Sequence, residues 1–158
     1  MSYTALLHGG KAEMVVDRSD AEPQPRAGEI GLRLPAEVEQ LAMLRAVAET
    51  VLLTADFTVD VVTDLRVAID EVATALIVSA IEGATIDCEF NYDAREVSIR
   101  VASIAEVEGA LGENSVGWHV LDTLTDSIET TRDEFDAVCG GYPIVVHFRR
   151  LRSEDDDG

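Results

Sequence analysis

A run of apolar residues at helical spacing between positions 58 and 83 constrains the fold of this chain more than any other feature. Thr58 is a typical helix N-cap, and Asp60 and Asp64 complement the positive end of the helix that follows. Gly83 is expected to end this helix. Apolar residues at steps of three and four predict one face buried against another layer of the protein. They are Val62, Leu65, Ile69, Val72, Leu76 and Ala80.

Three further segments around this helix carry clear periodic patterns. Alternation of apolar and polar residues predicts a half-buried strand over 30–34, which Pro35 ends because proline cannot donate to a sheet ladder. Apolar residues at helical spacing predict an amphipathic helix over 37–55. A shorter helix is expected over 117–125.

Two hairpins are predicted in the second half of the chain. Residues 85–92 and 97–101 favour β-structure on either side of a short turn, and 127–131 and 144–149 favour a second antiparallel pair. A loop is expected between 103 and 115, where small and acidic residues dominate. The order of elements predicts an α+β fold, with helices on one face of a mixed, mostly antiparallel sheet.

The chain is expected to hold one folded domain between two polar ends. Residues 1–28 are interpreted as a flexible tail because glycines, prolines and charges follow one another without a sustained period. Residues 29–150 are assigned to the domain, since a hydrophobic content of 47% in 158 residues suffices for one core. The acidic end, 151–158, is expected to be solvated.

A strong negative charge restricts the partners that this chain can bind. Its 12 basic and 31 acidic residues give a formal net charge of −19. Nucleic acids and anionic membrane surfaces need a basic stripe, so direct binding to either is not expected. A basic protein partner fits better, because complementary fields speed encounter. The sequence shows no apolar span of membrane length and no signal peptide, so a cytoplasmic location is expected.

Metal ligands are not expected among the cysteines and histidines. Cys88 and Cys139 stand alone, and neither has a histidine at ligand spacing. The two thiols are interpreted as ordinary cysteines, with a redox disulfide as the alternative.

Three segments resemble the RsbW-type anti-sigma factors, which are serine kinases of the GHKL superfamily with a Bergerat ATP-binding fold. Residues 64–74, with the sequence DLRVAIDEVAT, are similar to that family's N-box helix. Residues 117–126, with the sequence GWHVLDTLTD, are similar to the helix after its second glycine box, and 35–57 is similar to its first helix. The resemblance covers 29–150 and is closest to the actinobacterial branch sometimes called UsfX.

The resemblance implies both a fold and a set of partners. It implies a Bergerat-type sandwich that captures an RNA polymerase sigma factor and releases it when an anti-anti-sigma protein of the STAS type competes. Kinase members of the family also phosphorylate a serine on the STAS protein, using ATP and Mg²⁺. Family members pair through the first helix and the first strand of the domain, so a homodimer is expected, with the strand over 30–34 as an exposed sheet edge.

The N-box retains only part of the chemistry that the resemblance implies. Glu71 matches the family's general base, with an exposed helical carboxylate that has no function as the alternative. Asp70 beside it is expected to be a solvated helix residue. Four residues later the family carries an asparagine that holds Mg²⁺, and this chain has Ala75, which offers no oxygen ligand. Mg²⁺ offsets the phosphate charge during phosphoryl transfer, so its loss is expected to slow that reaction strongly.

The glycine boxes depart from the family pattern in the same direction. Ser103 and Ala105 stand where the family has the aspartate and glycine that meet adenine. In the second glycine box, this chain has Ser115 and retains only the last glycine, Gly117. Fewer backbone amides are therefore expected to face phosphate at the helix N-terminus. ATP and Mg²⁺ are therefore implied by the family, while the site that would hold them is predicted to be degenerate.

Partner binding is assigned to the first helix, at Leu41, Arg45 and Glu49. Arg45 matches a family arginine and could form bidentate contacts with partner carboxylates, although an ordinary surface arginine is the alternative. Trp118, the only tryptophan, is expected to anchor the short helix in the core, with ligand contact as the alternative. His119 is expected at the surface rather than in catalysis.

The leading hypothesis is an anti-sigma factor that works by occupancy and competition, with weak or absent kinase activity. One alternative is an active serine protein kinase that relies on Glu71. Another is an adaptor that binds STAS proteins and no sigma factor.

Overall fold

A five-stranded sheet with helices on one face forms the body of the protein in the computed structural model, which describes residues 3–8, 11–16, 27–112 and 116–153. The strands are β1 Tyr3–His8, β2 Lys11–Val16, β3 Gly28–Pro35, β4 Thr85–Tyr92, β5 Glu96–Ala105, β6 Ser127–Arg132 and β7 Tyr142–Leu151. The helices are α1 Leu41–Thr54, α2 Val59–Ser79 and α3 Val116–Leu124, and a 3-10 turn, Val38–Gln40, precedes α1.

The main sheet has the strand order β3-β4-β5-β7-β6, and each pair in it is antiparallel. The predicted α+β class is therefore confirmed, and β3 lies at the edge as expected. The chain does not place its strands in sequence order, because β7 inserts between β5 and β6. This insertion brings the last strand under the helices, where it reaches the region between α2 and α3.

Alternating residues of the central strands form the floor of the hydrophobic core. On β5, every second residue from Val97 to Ala105 is buried toward the helices. Phe90 on β4 and Phe148 on β7 are fully buried on the same side. The outer face carries polar pairs such as Arg33 with Asp87. This pattern explains why the helices cover a single face of the sheet.

Helix α2 begins as predicted and ends earlier than predicted. The side chain of Thr58 accepts a hydrogen bond from the amide of Val61, which is the expected N-cap. The helix ends at Ser79 rather than at Gly83. Ala80 forms a β-bridge with Ala105, so pairing with the sheet takes over from the helix before the glycine is reached.

Two segments differ from the sequence-based expectations. Within the predicted tail, β1 and β2 pair with each other as an antiparallel hairpin that is separate from the main sheet. Within the predicted loop, Ser103 and Ala105 belong to β5, because that strand continues its pairing with β7 as far as Tyr142. No helix in the described part of the chain is long and apolar enough to cross a membrane.

The two cysteines differ sharply in exposure, and this difference predicts their reactivity. Cys88 is 1% exposed on β4, and burial raises the pKa of its thiol to about 12. Cys139 is exposed, and both thiols are free. Desolvation, a hydrogen bond to Asp136 and the charge of that carboxylate raise the pKa of Cys139.

We expect an aromatic disulfide reagent at neutral pH to modify Cys139 in the native protein and to leave Cys88 unmodified until the protein unfolds, because the reactive species is the thiolate. Counting released chromophore before and after adding denaturant checks this. Equal reaction of both thiols in the native state would contradict the buried position of Cys88, and the Cys139→Ser variant identifies the fast thiol.

Candidate functional site

A concave site with a volume of about 540 Å³ lies between α2 and α3. Its walls are mainly apolar, and its size falls in the range of small-molecule sites. The lining residues come from α2, from the end of the β5 to α3 connection, from α3 and from β7. They are Asp70, Glu71, Val72, Thr74, Ala75, Val78, Ser79, Leu111, Gly112, Gly117, Trp118, Leu121 and Val146.

Glu71 and Gly117 meet at the mouth of this cavity. Glu71 projects from α2 toward the first turn of α3, and a Cβ atom at Gly117 would lie 2.6 Å from its Oε2. A side chain at position 117 would therefore displace the carboxylate, which gives a local reason for glycine there. Glu71 is exposed and has no hydrogen-bond or ion-pair partner in the described part of the chain.

Ala75 and Trp118 also line the cavity. Ala75 lies one turn after Glu71 on the same face of α2. This face therefore presents the carboxylate of Glu71 and, one turn later, only the methyl group of Ala75. Trp118 is partly buried and packs against the hydrophobic core as well as lining the cavity. The two interpretations of Trp118, core anchor and ligand contact, are therefore compatible in this geometry.

The remaining nucleotide-motif residues do not converge on the cavity. Ser103 is 6% exposed, and its hydroxyl donates to the Thr85 carbonyl oxygen at 2.8 Å. Ala105 is 2% exposed at the end of β5. Neither is among the described residues that line the cavity. Ser115 lies outside the described residues. Of the predicted motif positions, the structure thus brings Glu71, Ala75 and Gly117 together.

Asp70 is an ion-pairing residue, so the expectation of a merely solvated side chain was wrong. Arg45 on α1 donates from its Nε to Oδ1 of Asp70 at 2.7 Å, and its Nη2 lies 2.7 Å from the same oxygen. Both side chains are more than a third exposed, so the pair adds about 1 kcal/mol or less to stability. Its main effect is to orient Arg45 along the surface between the two helices.

The other predicted partner-binding residues lie in different environments. Leu41 is 7% exposed and belongs to the hydrophobic core, so its side chain is not on the surface that a partner would meet. The helical spacing that predicted Leu41 at the partner interface suits the buried apolar stripe of α1 equally well. Its burial shows that it belongs to the apolar stripe. Glu49 is half-buried and lies 3.3 Å from Arg66 of α2.

The cavity wall contains one residue with an unusual backbone. Leu111 has a φ of 62°, in the left-handed region that non-glycine residues rarely adopt. Arg132 of β6 donates to the carbonyl oxygens of both Ala110 and Leu111, which holds this turn in place. A strained conformation persists when its surroundings over-determine it, so this part of the wall is preformed.

Several lining residues were not identified from sequence. Thr74, Val78 and Ser79 lie three, seven and eight positions after Glu71, so helical spacing from that glutamate could have identified them. Leu111 and Val146 carry no local signal, because only the sheet order and the turn before α3 bring them to the cavity. No three metal-ligand side chains cluster anywhere in the described residues.

Comparison with known proteins identifies the family of this chain. No family model matches the chain. The chain is 34% identical over 126 residues to the anti-sigma-F factor RsbW of Mycobacterium tuberculosis, in strain CDC 1551 / Oshkosh and in strain ATCC 25618 / H37Rv. The match covers 78% of this chain and 75% of each relative. The chain therefore belongs to the RsbW family of anti-sigma factors.

Proposed function

We propose that this protein binds and inhibits an RNA polymerase sigma factor in the cytoplasm. The observation that carries the proposal is the 34% identity, over 78% of the chain, to relatives named anti-sigma-F factor. The net charge of −19 also supports the proposal. A sigma factor contacts DNA, and proteins that do so commonly have a basic binding surface, which an acidic protein attracts.

The outward face of α1 is the surface best suited to protein contact. Met43 and Leu53 on α1 are 54% and 45% exposed, and Val38 on the 3-10 turn before it is 60% exposed. Exposed large apolar residues that are close along the chain are typical of interaction sites. Arg45 lies on the same helix and presents a guanidinium that suits bidentate contact with a partner carboxylate. In the free protein this guanidinium is paired with the Asp70 carboxylate, so a partner carboxylate must compete with Asp70 for Arg45.

We propose that release follows competition by a STAS-type antagonist for this surface, rather than phosphoryl transfer. Support comes from the cavity between α2 and α3, which has Ala75 where a magnesium ligand is needed and no Lys, Arg or His among its described lining residues. Two carboxylates line it instead, at Asp70 and Glu71. Asp70 is already paired with Arg45, so Glu71 alone would offer Mg²⁺ a carboxylate, and a triphosphate without a bound cation would face like charge.

Dimerisation through the edge of the main sheet is also part of the proposal. β3 is an edge strand and presents unpaired backbone groups on its outer side. A twofold pairing of this kind satisfies the backbone groups of both copies.

The runner-up function is an active serine protein kinase. One observation favours it: Glu71 lines the cavity and has no partner in the described residues, as a general base that awaits a substrate would. Under that reading Glu71→Ala abolishes phosphate transfer to a STAS protein while sparing sigma binding.

Co-purification from the native host tests the proposal directly. Tagged full-length protein is expected to elute with a stoichiometric sigma factor, and a STAS protein added without nucleotide is expected to displace it. Millimolar Mg-ATP should leave the melting temperature unchanged. Elution with STAS proteins and no sigma factor would establish the adaptor instead. A rise of several degrees with Mg-ATP, together with labelled phosphate on the STAS protein, would establish the kinase.

Arg45→Ala is expected to weaken sigma binding tenfold or more, because interface arginines that form charge-assisted contacts are common hot spots. Asp70→Asn frees the same guanidinium and should tighten binding about threefold, since a surface ion pair must no longer be broken. Titration calorimetry measures both affinities, and melting curves confirm that each variant folds. If the Arg45→Ala variant bound the sigma factor with unchanged affinity, the result would contradict the assignment of Arg45 to the interface.

A further inference from the structure

We propose that the cavity between α2 and α3 binds an organic cation with an apolar body, such as an aryl- or alkylammonium ion. This site goes beyond the proposed function, because it concerns a small ligand and not the sigma factor. The shape of the cavity, its apolar walls and the placement of its charges all favour a ligand of this class.

The walls suit an apolar body. Val72, Val78, Leu121 and Val146 line the cavity together with Trp118. About 540 Å³ accommodates a ligand of drug-like size, and burial of apolar surface supplies the main driving force for such ligands. Polar lining groups are few, and one of them, the Ser79 hydroxyl, already donates to the carbonyl oxygen of Ala75.

The charges select the head group. Asp70 is neutralised by Arg45, whereas Glu71 has no partner in the described residues. None of the described lining residues is basic, so no cationic side chain among them stabilises an anion. An ammonium group at the mouth would pair with the Glu71 carboxylate, and the nearby Trp118 ring adds a favourable cation-π surface. The net charge of −19 also attracts cations toward the site.

The geometry of the site is largely built before any ligand arrives. Arg132 holds the carbonyl oxygens of Ala110 and Leu111, and this fixes one wall in the left-handed turn at Leu111. Gly117 leaves room for the Glu71 carboxylate against the first turn of α3. A preformed site loses less free energy to ordering when it binds a ligand.

The test uses three probes of nearly equal shape and Trp118 as the reporter, since it is the only tryptophan. The probes are 2-phenylethylammonium, neutral 2-phenylethanol and anionic 3-phenylpropanoate, titrated into the full chain while tryptophan fluorescence is recorded. We expect a saturable change with affinity in the order cation, neutral, anion. Added NaCl should weaken only the cation, through screening of its pairing with Glu71.

Two variants separate a specific site from general attraction to an acidic protein. Glu71→Gln should lower the affinity for the cation about tenfold and leave the neutral probe unchanged, because only the charged head group loses its partner. Glu82→Gln removes an equal charge from an exposed position outside the cavity and should change affinity by less than twofold.

Three results would overturn the inference: no saturable response to any probe, equal effects of the two glutamine substitutions, or stronger binding of the anionic probe or Mg-ATP than of the cation. Sigma-factor binding is not part of this readout. Failure here therefore leaves sigma capture untouched, and failure of sigma capture leaves the cavity result standing.

Discussion

Arg152→Ala is expected to lower the free energy of unfolding by about 2–3 kcal/mol, the largest loss that we expect from removing one surface-accessible side chain. The guanidinium donates to the carbonyl oxygens of Ala55 at 2.6 Å, Asp56 at 3.3 Å and Asp93 at 3.0 Å. It also lies 4.0 Å above the centre of the Phe57 ring. One side chain thus links the end of β7 to the turn after α1 and to the β4-β5 turn.

The physical reason is the end of α1. The last carbonyl groups of a helix lack intrahelical donors, and a cation near them also complements the helix dipole. Without Arg152, the carbonyl oxygen of Ala55, a residue that is 0% exposed, loses a charged hydrogen-bond donor. The turn at Asp56, which has a φ of 61°, also loses a hydrogen bond that restrains it. A buried acceptor without a donor costs about 1–3 kcal/mol by itself.

Urea denaturation measures this loss, with two variants for comparison. Arg152→Lys should retain less than half of the stabilisation, because an ammonium cannot reach three divergent carbonyl groups with the fork of a guanidinium. Arg95→Ala removes an exposed arginine from the neighbouring β4-β5 turn and should stay within about 0.5 kcal/mol of the parent. If Arg152→Ala changed stability no more than Arg95→Ala, the three carbonyl contacts would be energetically irrelevant.

Gly141→Ala is expected to cost about 2–3 kcal/mol through a steric conflict that cannot relax easily. A Cβ atom there would lie 2.6 Å from the backbone oxygen of Ala105 and 2.7 Å from Cγ2 of Ile104. Gly141 directly precedes β7, so relief of the contact must separate β7 from the end of β5. That separation disturbs the pairing of Ala105 with Tyr142.

A second glycine provides the matched control for that substitution. Gly31 lies on the exposed side of β3, and no atom of the described residues beyond its chain neighbours would lie within 4 Å of a Cβ there. Gly31→Ala should be neutral or slightly stabilising, because alanine reduces the freedom of the unfolded chain. Thermal melts of both variants check the difference. Equal melting temperatures would contradict a close approach at Gly141.

The elements of the fold were largely predictable because their signals are local. The stripe from Val62 to Leu76 predicts α2 whatever it packs against, and alternation over 30–34 predicts β3. The end of α2 was not predictable, since bridge pairing of Ala80 with Ala105 decides it. The β1-β2 hairpin was missed because its short strands lie among glycines and charges that favour irregular structure.

The candidate site was predictable along α2 from helical spacing and at Gly117 from the family resemblance. Glu71 and Ala75 share a helical face, so their proximity follows from spacing alone. Leu41 shows the opposite case, because the same spacing suits a buried stripe or an interface, and only packing buries it. The Arg45 to Asp70 pair joins residues that are 25 positions apart and depends on the way in which α1 crosses α2.

By itself, the sequence determined the α+β class, the positions of the helices and main-sheet strands, and the acidic charge that limits the choice of partners, because periodicity and composition are local quantities. Only the tertiary structure decided that Ser103 and Ala105 lie away from the cavity and that Leu111 and Val146 lie beside Trp118. The insertion of β7 between β5 and β6 produces that arrangement. Residues distant in sequence become neighbours through strand order, and no local pattern encodes it.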